Sequence, residues 1–136
     1  MSEQNKALVR QAYDSFKASR IDKLIGLMSN DIRWTLPEIK GVPFGGKKNS
    51  LAAVGEFFVI VNNLQENLRF NINELVAEGD RVVALGDYSW RVRHTKQEFH
   101  SAFAHVWTIR DGKAIVFHEY MDTAACRDAH QKAMSV

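Results

Sequence analysis

The sequence predicts an α+β domain in which helices pack on one face of a curved antiparallel sheet. In the first half of the chain, apolar residues recur at the spacing of an amphipathic helix, whereas from Phe70 onward they recur at every second position, as in half-buried strands. Short polar segments separate the later runs, and such short connections are typical of an antiparallel meander. Helices that cover one face of such a sheet define the α+β class.

Three N-terminal helices are predicted from their apolar stripes. The stripes run over residues 8–16, 21–28 and 51–64. Between the second and the third, residues 32–36 are expected to form a short strand that ends at Pro37, because proline has no backbone N–H to donate within a sheet. A loop rich in glycine then leads into the third helix.

Four strands are predicted after the third helix. Polar turns, two of which contain glycine, separate them at residues 78–80, 94–97 and 110–112. Residues 124–134 carry a weak helical pattern and are expected to close the domain as a frayed helix. The strands are predicted over residues 69–77, 81–94, 98–109 and 113–122.

Length and composition exclude several classes of protein. The 136 residues are expected to form one domain spanning 1–136, long enough to bury a core without disulfides or metals. A formal net charge of +2 without a basic stripe argues against a nucleic-acid partner. The single cysteine, Cys126, cannot form an internal disulfide, which favours a cytoplasmic location. No apolar run is long enough to suggest a membrane span or a secretion leader.

The last hairpin, which turns at Asp111-Gly112, determines which residues share a face. A two-residue turn pairs odd positions with even ones, whereas a three-residue loop with Gly112 in the left-handed region pairs odd with odd. We predict the three-residue loop, because it collects the bulky residues on one face. It makes His105 and Glu119 diagonal neighbours, roughly 7–8 Å apart at Cβ. The bulky odd-numbered set is Phe99, Phe103, Trp107, Ile109, Ile115, Phe117 and Met121.

His105 and Glu119 are two ionisable groups on this apolar face. A buried carboxylate is costly unless it is hydrogen-bonded or paired, and an imidazole within reach can share its proton. An apolar face with a few convergent polar groups is typical of a small-molecule site. Three alternatives follow: a functional pocket, an ordinary polar pair inside the core, or a register shifted by one residue with both groups facing solvent.

Six segments form a pattern that covers nearly the whole chain. They are Ala12-Tyr13, Asn30 through Trp34 with Pro37, Pro43-Phe44-Gly45-Gly46, Val76 through Val83, Val106 through Lys113, and Glu119 through Ala125. Together they resemble the nuclear transport factor two-like (NTF2-like) superfamily, and within it the ketosteroid isomerase and SnoaL-like polyketide cyclase branch. The resemblance implies a cone-shaped fold, a small-molecule pocket inside the cone, no cofactor, and a homodimer formed through the outer sheet face.

The resemblance also implies roles for particular residues. Tyr13 lies where the isomerases have the tyrosine that binds the oxyanion, and His105 lies where they have its partner acid. Glu119 lies where SnoaL-like cyclases have an acid–base aspartate on the final strand. Leu36 lies where the isomerases have their catalytic base, and leucine cannot take a proton, which argues against steroid isomerisation. The implied catalytic set is Tyr13, His105 and Glu119.

Four further residues are expected to contact the ligand. Trp107 and Phe103 lie on the same predicted face as His105, and Thr35 stands beside the family's base position. Asp87 is a candidate whose direction depends on the register of its strand. No metal site is predicted, because the segment 118–122 begins like a zinc-binding HExxH but lacks its final histidine and its helical geometry.

Two functions are open at this point. One is a cofactor-independent enzyme in which Glu119 moves a proton next to the carbonyl of a hydrophobic substrate, while Tyr13 and His105 stabilise the enolate oxygen. Cyclase or isomerase chemistry fits this arrangement. The other is a module of the same fold that binds an apolar ligand without reaction or acts mainly through its dimer face.

Overall fold

The computed structural model describes residues 2–131, which form four helices and six strands. The helices are α1 (Ser2–Lys17), α2 (Ile21–Gly26), α3 (Leu51–Leu64) and α4 (Thr123–Gln131). The strands are β1 (Met28–Leu36), β2 (Gly46–Lys48), β3 (Gln65–Glu78), β4 (Arg81–Val92), β5 (Glu98–Arg110) and β6 (Lys113–Met121). The predicted α+β class is confirmed.

Local sequence explains the two long helices. The apolar stripe of α1 buries Val9, Ala12 and Tyr13 against the sheet. At the start of α3, Ser50 lies in an extended conformation and its hydroxyl accepts a hydrogen bond from the backbone N–H of Ala53 at 3.1 Å. Such a cap satisfies one of the free N–H groups at a helix start, and it fixes where α3 begins.

The arrangement of the elements departs in part from three N-terminal helices on an antiparallel sheet. The strand predicted between the second and third helices is β1, and the short strand β2 follows it before α3. The predicted closing helix is α4, which ends at Gln131, so predicted positions 132–134 lie outside the described residues. The sheet order is β2-β1-β6-β5-β4-β3, and β1 runs parallel to β6. The purely antiparallel prediction is wrong for this pair, because strands far apart in the chain leave no local pattern that reveals their pairing.

The four later strands form the predicted antiparallel meander. β3 begins at Gln65, directly after α3, which is earlier than predicted. β4 ends at Val92, earlier than predicted, because the chain then turns through Lys96, whose φ is 63°. Because β3 begins at Gln65 and α3 ends at Leu64, no loop separates this helix from the sheet.

The predicted three-residue loop between β5 and β6 is wrong. Asp111 and Gly112 have φ values of 52° and 74°, and Arg110 pairs directly with Lys113. Two successive residues with positive φ are typical of the two-residue type I′ turn, which an Asp-Gly pair favours. The sequence of the turn fits this geometry better than the loop that we predicted.

A β-bulge at Ile115 makes odd-numbered residues of β5 pair with odd-numbered residues of β6. Thr108 and Ile109 are neighbours in β5, and they pair with Val116 and Ala114, so that Ile115 is an extra residue in β6. Beyond the bulge, odd positions again face odd positions. The prediction that the bulky odd residues share one face is therefore confirmed for this part of the hairpin, although the bulge rather than the loop produces it.

This register changes the predicted relation between the two ionisable groups. His105 lies directly opposite Glu119 instead of diagonally across from it. Both are buried, which excludes the alternative in which they face solvent. The pair is thus closer than the sequence predicted.

The sheet has an inner face, which carries Tyr88, His105 and Glu119, and an outer face, which carries Leu85, Ala104 and Tyr120. On β4 the alternation is regular, with Val82, Ala84, Tyr88, Trp90 and Val92 buried on the inner side. The core lies between this inner face and the helices. No helix formed by residues 2–131 combines the length and the apolar character that a membrane crossing requires.

Candidate active site

A cavity lies between the inner face of the sheet and the helices. Its volume is about 90 Å³, counted as the space open to the centre of a water molecule. On that measure a single water needs about 10–15 Å³, so the cavity has room for several waters or a small ligand. Aromatic residues dominate the wall, namely Tyr13, Phe16, Trp34, Phe44, Phe57, Phe58, Phe70, Tyr88, Trp90, Phe99, Trp107 and Phe117.

A path of hydrogen bonds crosses the cavity wall. Trp107 Nε1 donates to the Tyr13 hydroxyl at 3.0 Å, and that hydroxyl lies 2.6 Å from His105 Nδ1. His105 Nε2 lies 2.7 Å from Glu119 Oε2, and the Tyr88 hydroxyl donates to the same oxygen at 3.0 Å. Five side chains from α1, β4, β5 and β6 thus form one continuous path.

One arrangement of protons satisfies every donor in this path. With hydrogen on Nε2, His105 donates to Glu119, and its Nδ1 accepts from the Tyr13 hydroxyl. The Tyr13 oxygen in turn accepts from Trp107. We assign this tautomer of His105 from the hydrogen-bond network.

Secondary structure explains why these groups converge. The apolar stripe of α1 turns Tyr13 towards the sheet. The two-residue period of β5 places His105 and Trp107 on the inner face, and the register of β6 brings Glu119 opposite His105. Tyr88 belongs to the buried phase of β4.

Aromatic packing fixes the His105 ring. Phe103 stacks on it with ring centres 4.1 Å apart and an interplanar angle of 18°. Tyr13 lies nearly parallel to the ring at 5.8 Å, and Phe117 is tilted against it at 4.8 Å. The packed neighbours hold Nε2 towards Glu119, which gives this hydrogen bond a defined geometry.

Burial controls the protonation of the other groups on the wall. Desolvation raises the pKa of Tyr13 and of Tyr88, and the charge of Glu119 raises both further, while the Trp107 hydrogen bond partly offsets the effect at Tyr13. Both phenols therefore stay protonated and act as hydrogen-bond donors. Burial, with a smaller effect from Glu119, also raises the pKa of the Cys126 thiol to about 12, so this thiol is not a nucleophile at neutral pH.

Glu119 is the ionisable group best placed to meet a ligand. Its side chain is 12% exposed and lines the cavity. The hydrogen bonds that described residues make to this carboxylate end on Oε2, which leaves Oε1 for a ligand. A carboxylate oriented by two donors and facing an apolar cavity can take a proton from a bound molecule.

The structure brings the three predicted catalytic residues together and places two of the predicted contact residues beside them. Tyr13, His105 and Glu119 are consecutive members of the hydrogen-bonded path. Trp107 lines the cavity and donates to Tyr13. Phe103 is buried and supports the His105 ring rather than forming the cavity wall.

Thr35 and Asp87 lie on the outer face, contrary to the predicted contact with a ligand. Trp34 takes the inner position on β1, and successive strand residues point to opposite faces, so Thr35 points away from the cavity. Asp87 accepts hydrogen bonds on the outer side from Arg69 at 3.3 Å and from Asn73 at 3.2 Å. Neither side chain therefore faces the cavity.

Two polar wall residues, Tyr88 and Gln65, were missed by the sequence analysis, and Trp34 was given no role. Tyr88 stands in the apolar phase of its strand, but it pairs with Ser101 rather than with His105, so strand register alone does not place it beside Glu119. Gln65 precedes the predicted start of its strand, so no alternation pattern pointed to it. A buried glutamine is visible only once the fold is known.

Residues 118–121 lie in β6, so the segment that begins like HExxH has strand rather than helix geometry. His118 lies on the outer face and Glu119 on the inner face, so the two side chains diverge. Within residues 2–131, no group of three or more His, Cys, Asp or Glu side chains is arranged to hold a metal ion.

Comparison with known proteins places this geometry in a family. A family model for the SnoaL-like domain matches residues 9–117. The comparison with curated proteins gave no match. Among solved structures, an NTF2-like protein of unknown function from Burkholderia pseudomallei is 27% identical, with a TM-score of 0.86 over 96% of this chain and 99% of that one.

Two further solved structures contain small molecules. TerC, co-crystallised with polyporic acid, is 28% identical, with a TM-score of 0.85 over 95% of this chain and 99% of that one. A protein with a ketosteroid isomerase-like fold from Catenulispora acidiphila, in complex with trimethylamine, is 14% identical, with a TM-score of 0.74 over 87% of each chain. The second likeness concerns the fold alone.

Proposed function

This chain belongs to the SnoaL-like domain family, and we propose that it is a cofactor-independent enzyme that moves a proton on a hydrophobic carbonyl compound. The reaction is a cyclisation or an isomerisation. One observation carries the proposal: the Glu119 carboxylate is oriented by His105 and Tyr88 and borders an aromatic cavity. An oriented base in an apolar cleft is the arrangement that proton abstraction requires.

In the first step, Glu119 Oε1 takes a proton from the carbon next to the carbonyl group. The electron pair of the broken C–H bond moves into the new C–C double bond, and the carbonyl oxygen becomes an enolate oxygen. His105 and Tyr88 hold the other carboxylate oxygen, Oε2, so that Oε1 keeps one orientation while it accepts the proton. Both donors meet the same atom, which keeps the base in place without blocking it.

In the second step, negative charge has moved from Glu119 to the ligand. Protonation of the carboxylate weakens its hold on neighbouring donors, and the hydroxyls of Tyr13 and Tyr88 lie on the same wall. Their raised pKa values keep them protonated, so either hydroxyl can turn to the enolate oxygen. His105 accepts from or donates to its neighbours through both ring nitrogens, which couples Tyr13 to Glu119.

The last step decides the product. In an isomerisation, the ligand carries a carbon–carbon double bond next to the carbon that loses the proton, so the enolate is a dienolate. Glu119 then returns its proton to the far carbon of that double bond, and the double bond moves into conjugation with the carbonyl. In a cyclisation, the enolate carbon attacks a second carbonyl of the same molecule, and the proton on Glu119 goes to the resulting alkoxide. Both routes restore the ionised carboxylate. A relative, TerC, was co-crystallised with polyporic acid, which supports a small organic molecule as the ligand of this chain.

Proton exchange tests the proposal without knowledge of the natural substrate. The bicyclic ketone 2-tetralone is incubated with the protein in D₂O, and deuterium incorporation next to its carbonyl is followed by NMR. The Glu119→Gln variant is expected to reduce the protein-catalysed rate at least about 100-fold, because the amide cannot act as the base. Glu74→Gln, which changes an exposed carboxylate, is the matched control and leaves the rate unchanged. A Glu119→Gln protein with the wild-type rate contradicts the proposal.

A non-catalytic ligand-binding module is the second candidate. Leu36, at the isomerase base position, lines the cavity and offers no proton acceptor. The donors of the hydrogen-bonded path are already paired with other groups of the chain, so none of them is free to bind an enolate oxygen without a rearrangement. If calorimetry detects 2-tetralone binding to the wild type while exchange stays at the rate in buffer, this candidate replaces the enzyme.

We also propose that the outer face forms a homodimer. Leu85 pairs across the sheet with Ala104, which pairs with Tyr120, so these residues form one apolar surface. Tyr120 is 53% exposed and Leu85 is 37% exposed, and exposed apolar patches commonly mark interfaces. Analytical ultracentrifugation is expected to show a wild-type dimer and a Leu85→Lys monomer. A wild-type monomer contradicts the dimer.

The free thiol of Cys126 supports a proposal about where in the cell this protein is located. Cys126, the single cysteine, is a buried free thiol in the structure. Proteins without disulfides are typical of reducing compartments. We therefore propose the cytoplasm as the location of this protein.

A further inference from the structure

Two polar atoms on the cavity wall play no part in the path through His105. Trp34 Nε1 and Gln65 Oε1 are buried and have no hydrogen-bond partner within residues 2–131. Both side chains line the cavity, and both residues are only 4% exposed. A buried polar group without a partner is costly, so the pair calls for an explanation.

The surroundings of Trp34 restrict what can pair with its N–H. An indole nitrogen is a donor only. The aromatic rings packed on it carry no oxygen or nitrogen acceptor, and their centres lie between 3.8 and 6.0 Å from the Trp34 ring. The acceptor must therefore come from what the cavity contains. These rings belong to Phe57, Phe58, Trp107 and Phe117.

Gln65 occupies a different part of the wall. Its backbone joins α3 to β3, where it pairs with Val92. Tyr88, the partner of Glu119, stands four residues before Val92 on the same face of β4, a separation of roughly 13 Å at about 3.3 Å per residue. Glu119 is in register, through His105, with Ala84, a further four residues along β4, so the backbone of Gln65 enters the sheet well away from that of Glu119. The Gln65 amide offers an acceptor oxygen.

We propose that Trp34 Nε1 and Gln65 Oε1 are recognition points for the ligand. They select a multi-ring carbonyl compound that carries further oxygen substituents remote from the reacting carbonyl. A carbonyl or hydroxyl oxygen accepts from Trp34, and a hydroxyl hydrogen is donated to Gln65. The assignment of the reacting carbonyl to the Glu119 end rests on the proposed function, whereas recognition by Trp34 and Gln65 needs no turnover.

Two matched ketones test this selectivity by binding alone. Calorimetry compares 2-tetralone with 6-hydroxy-2-tetralone, which adds one hydroxyl on the far ring. The wild type is expected to bind the hydroxylated ketone about 10-fold more tightly, the gain typical of one net hydrogen bond made to an otherwise unpaired buried group. The Trp34→Phe/Gln65→Leu double variant loses this preference, and the two single variants show which group contributes it.

Thr35→Val is the matched control, because Thr35 adjoins Trp34 in sequence but lies on the outer face. This variant is expected to keep the full preference. Thermal unfolding of each variant establishes that it is folded, and Gln65→Leu alone keeps the test decisive if the tryptophan variant does not fold.

Three results overturn the inference: equal affinity of the wild type for both ketones, a double variant that keeps the preference, or no binding of either ketone at millimolar concentration. The first result means that water satisfies both groups. Failure of the proposed function has a different signature, since a wild type that prefers the hydroxylated ketone but does not catalyse deuterium exchange contradicts the enzyme and supports the recognition points.

Discussion

The two faces of the β5–β6 hairpin carry similar residues in opposite surroundings. On the inner face, His105 lies 2.7 Å from the Glu119 carboxylate, among buried aromatic rings. On the outer face, His118 stacks on Tyr120 with ring centres 4.4 Å apart and an interplanar angle of 4°. Both faces present a histidine beside a second functional side chain. Only the inner pair is enclosed by the fold.

The difference lies in the medium rather than in the residue types. On the outer face of a single chain, water satisfies the donors of an exposed pair and screens its charges, whereas a cavity walled by aromatic rings leaves each group dependent on the partner that the fold provides. On the inner face, Tyr13 and Tyr88 complete those partnerships. Chemistry is therefore expected on the inner face alone, and matched substitutions on the two faces test this expectation.

Paired tyrosine substitutions should show the largest contrast. Tyr13→Phe removes an O–H group that can stabilise the enolate, and the rate of 2-tetralone exchange is expected to fall about 100-fold to 1,000-fold. Tyr120→Phe removes an outer hydroxyl and leaves the rate unchanged. The measurement is deuterium incorporation by NMR. Equal exchange rates for the two variants contradict the expectation that the reaction takes place on the inner face alone.

Paired histidine substitutions follow. His105→Gln keeps a polar side chain but loses the ring that joins Tyr13 to Glu119, and the misplaced base is expected to lower the exchange rate up to about 100-fold. His118→Gln alters the outer stack and leaves the rate within about 2-fold of wild type, since surface changes away from a site have small effects. A stronger effect at His118 than at His105 contradicts the assignment of the site to the inner face.

A third histidine, His130, sharpens the comparison because it is buried without a carboxylate partner. Its Nδ1–H donates to the Cys126 carbonyl at 2.9 Å, while Nε2 has no partner within residues 2–131. Burial lowers the pKa of His130 below its ordinary value of 6.5, and nearby His94 lowers it further, although the bond to the Cys126 carbonyl opposes the shift. Protonation of Nε2 is thus unfavourable in the folded protein.

The sign of the resulting pH dependence follows from that lowered pKa. The neutral ring's contribution to stability is complete above the unfolded value of 6.5 and is lost as the pH falls through the lower folded value. Between pH 7 and pH 5, the unfolding temperature of the wild type should therefore fall more steeply than that of His130→Gln. Calorimetric scans at both pH values measure the two slopes. Identical slopes exclude this contribution from His130.

The phase of the strands explains how much of the site was predictable. Apolar residues such as Phe103 and Trp107 alternate strictly on β5, so the side chain of His105 could be placed on the inner face from sequence. The same alternation applies to β4, where Tyr88, Trp90 and Val92 mark the inner phase, and it turns Asp87 outwards, although we had made its direction depend on strand register. Thr35 was proposed for its position beside a family residue, and strand alternation turned it outwards.

Long-range pairing explains what sequence could not provide. Nothing near β1 indicates that it lies parallel to β6, since the pairing of Trp34 with Phe117 joins segments from opposite ends of the chain. The unpaired nitrogen of Trp34 and the buried amide of Gln65 become visible only when those segments are assembled around the cavity. Functional groups of this kind depend on tertiary structure alone.

The bulge at Ile115 makes the hairpin unequally tolerant of insertions and deletions. Loss of Ile115 closes the bulge and keeps Thr108 opposite Val116, so every pair farther from the turn, including His105 and Glu119, is preserved. Loss of a residue between Val116 and Glu119 instead shifts the carboxylate to the outer face. The hairpin can therefore lose the bulge residue, on the turn side of Val116, and keep His105 opposite Glu119. Loss of a single residue between Val116 and Glu119 breaks that pair.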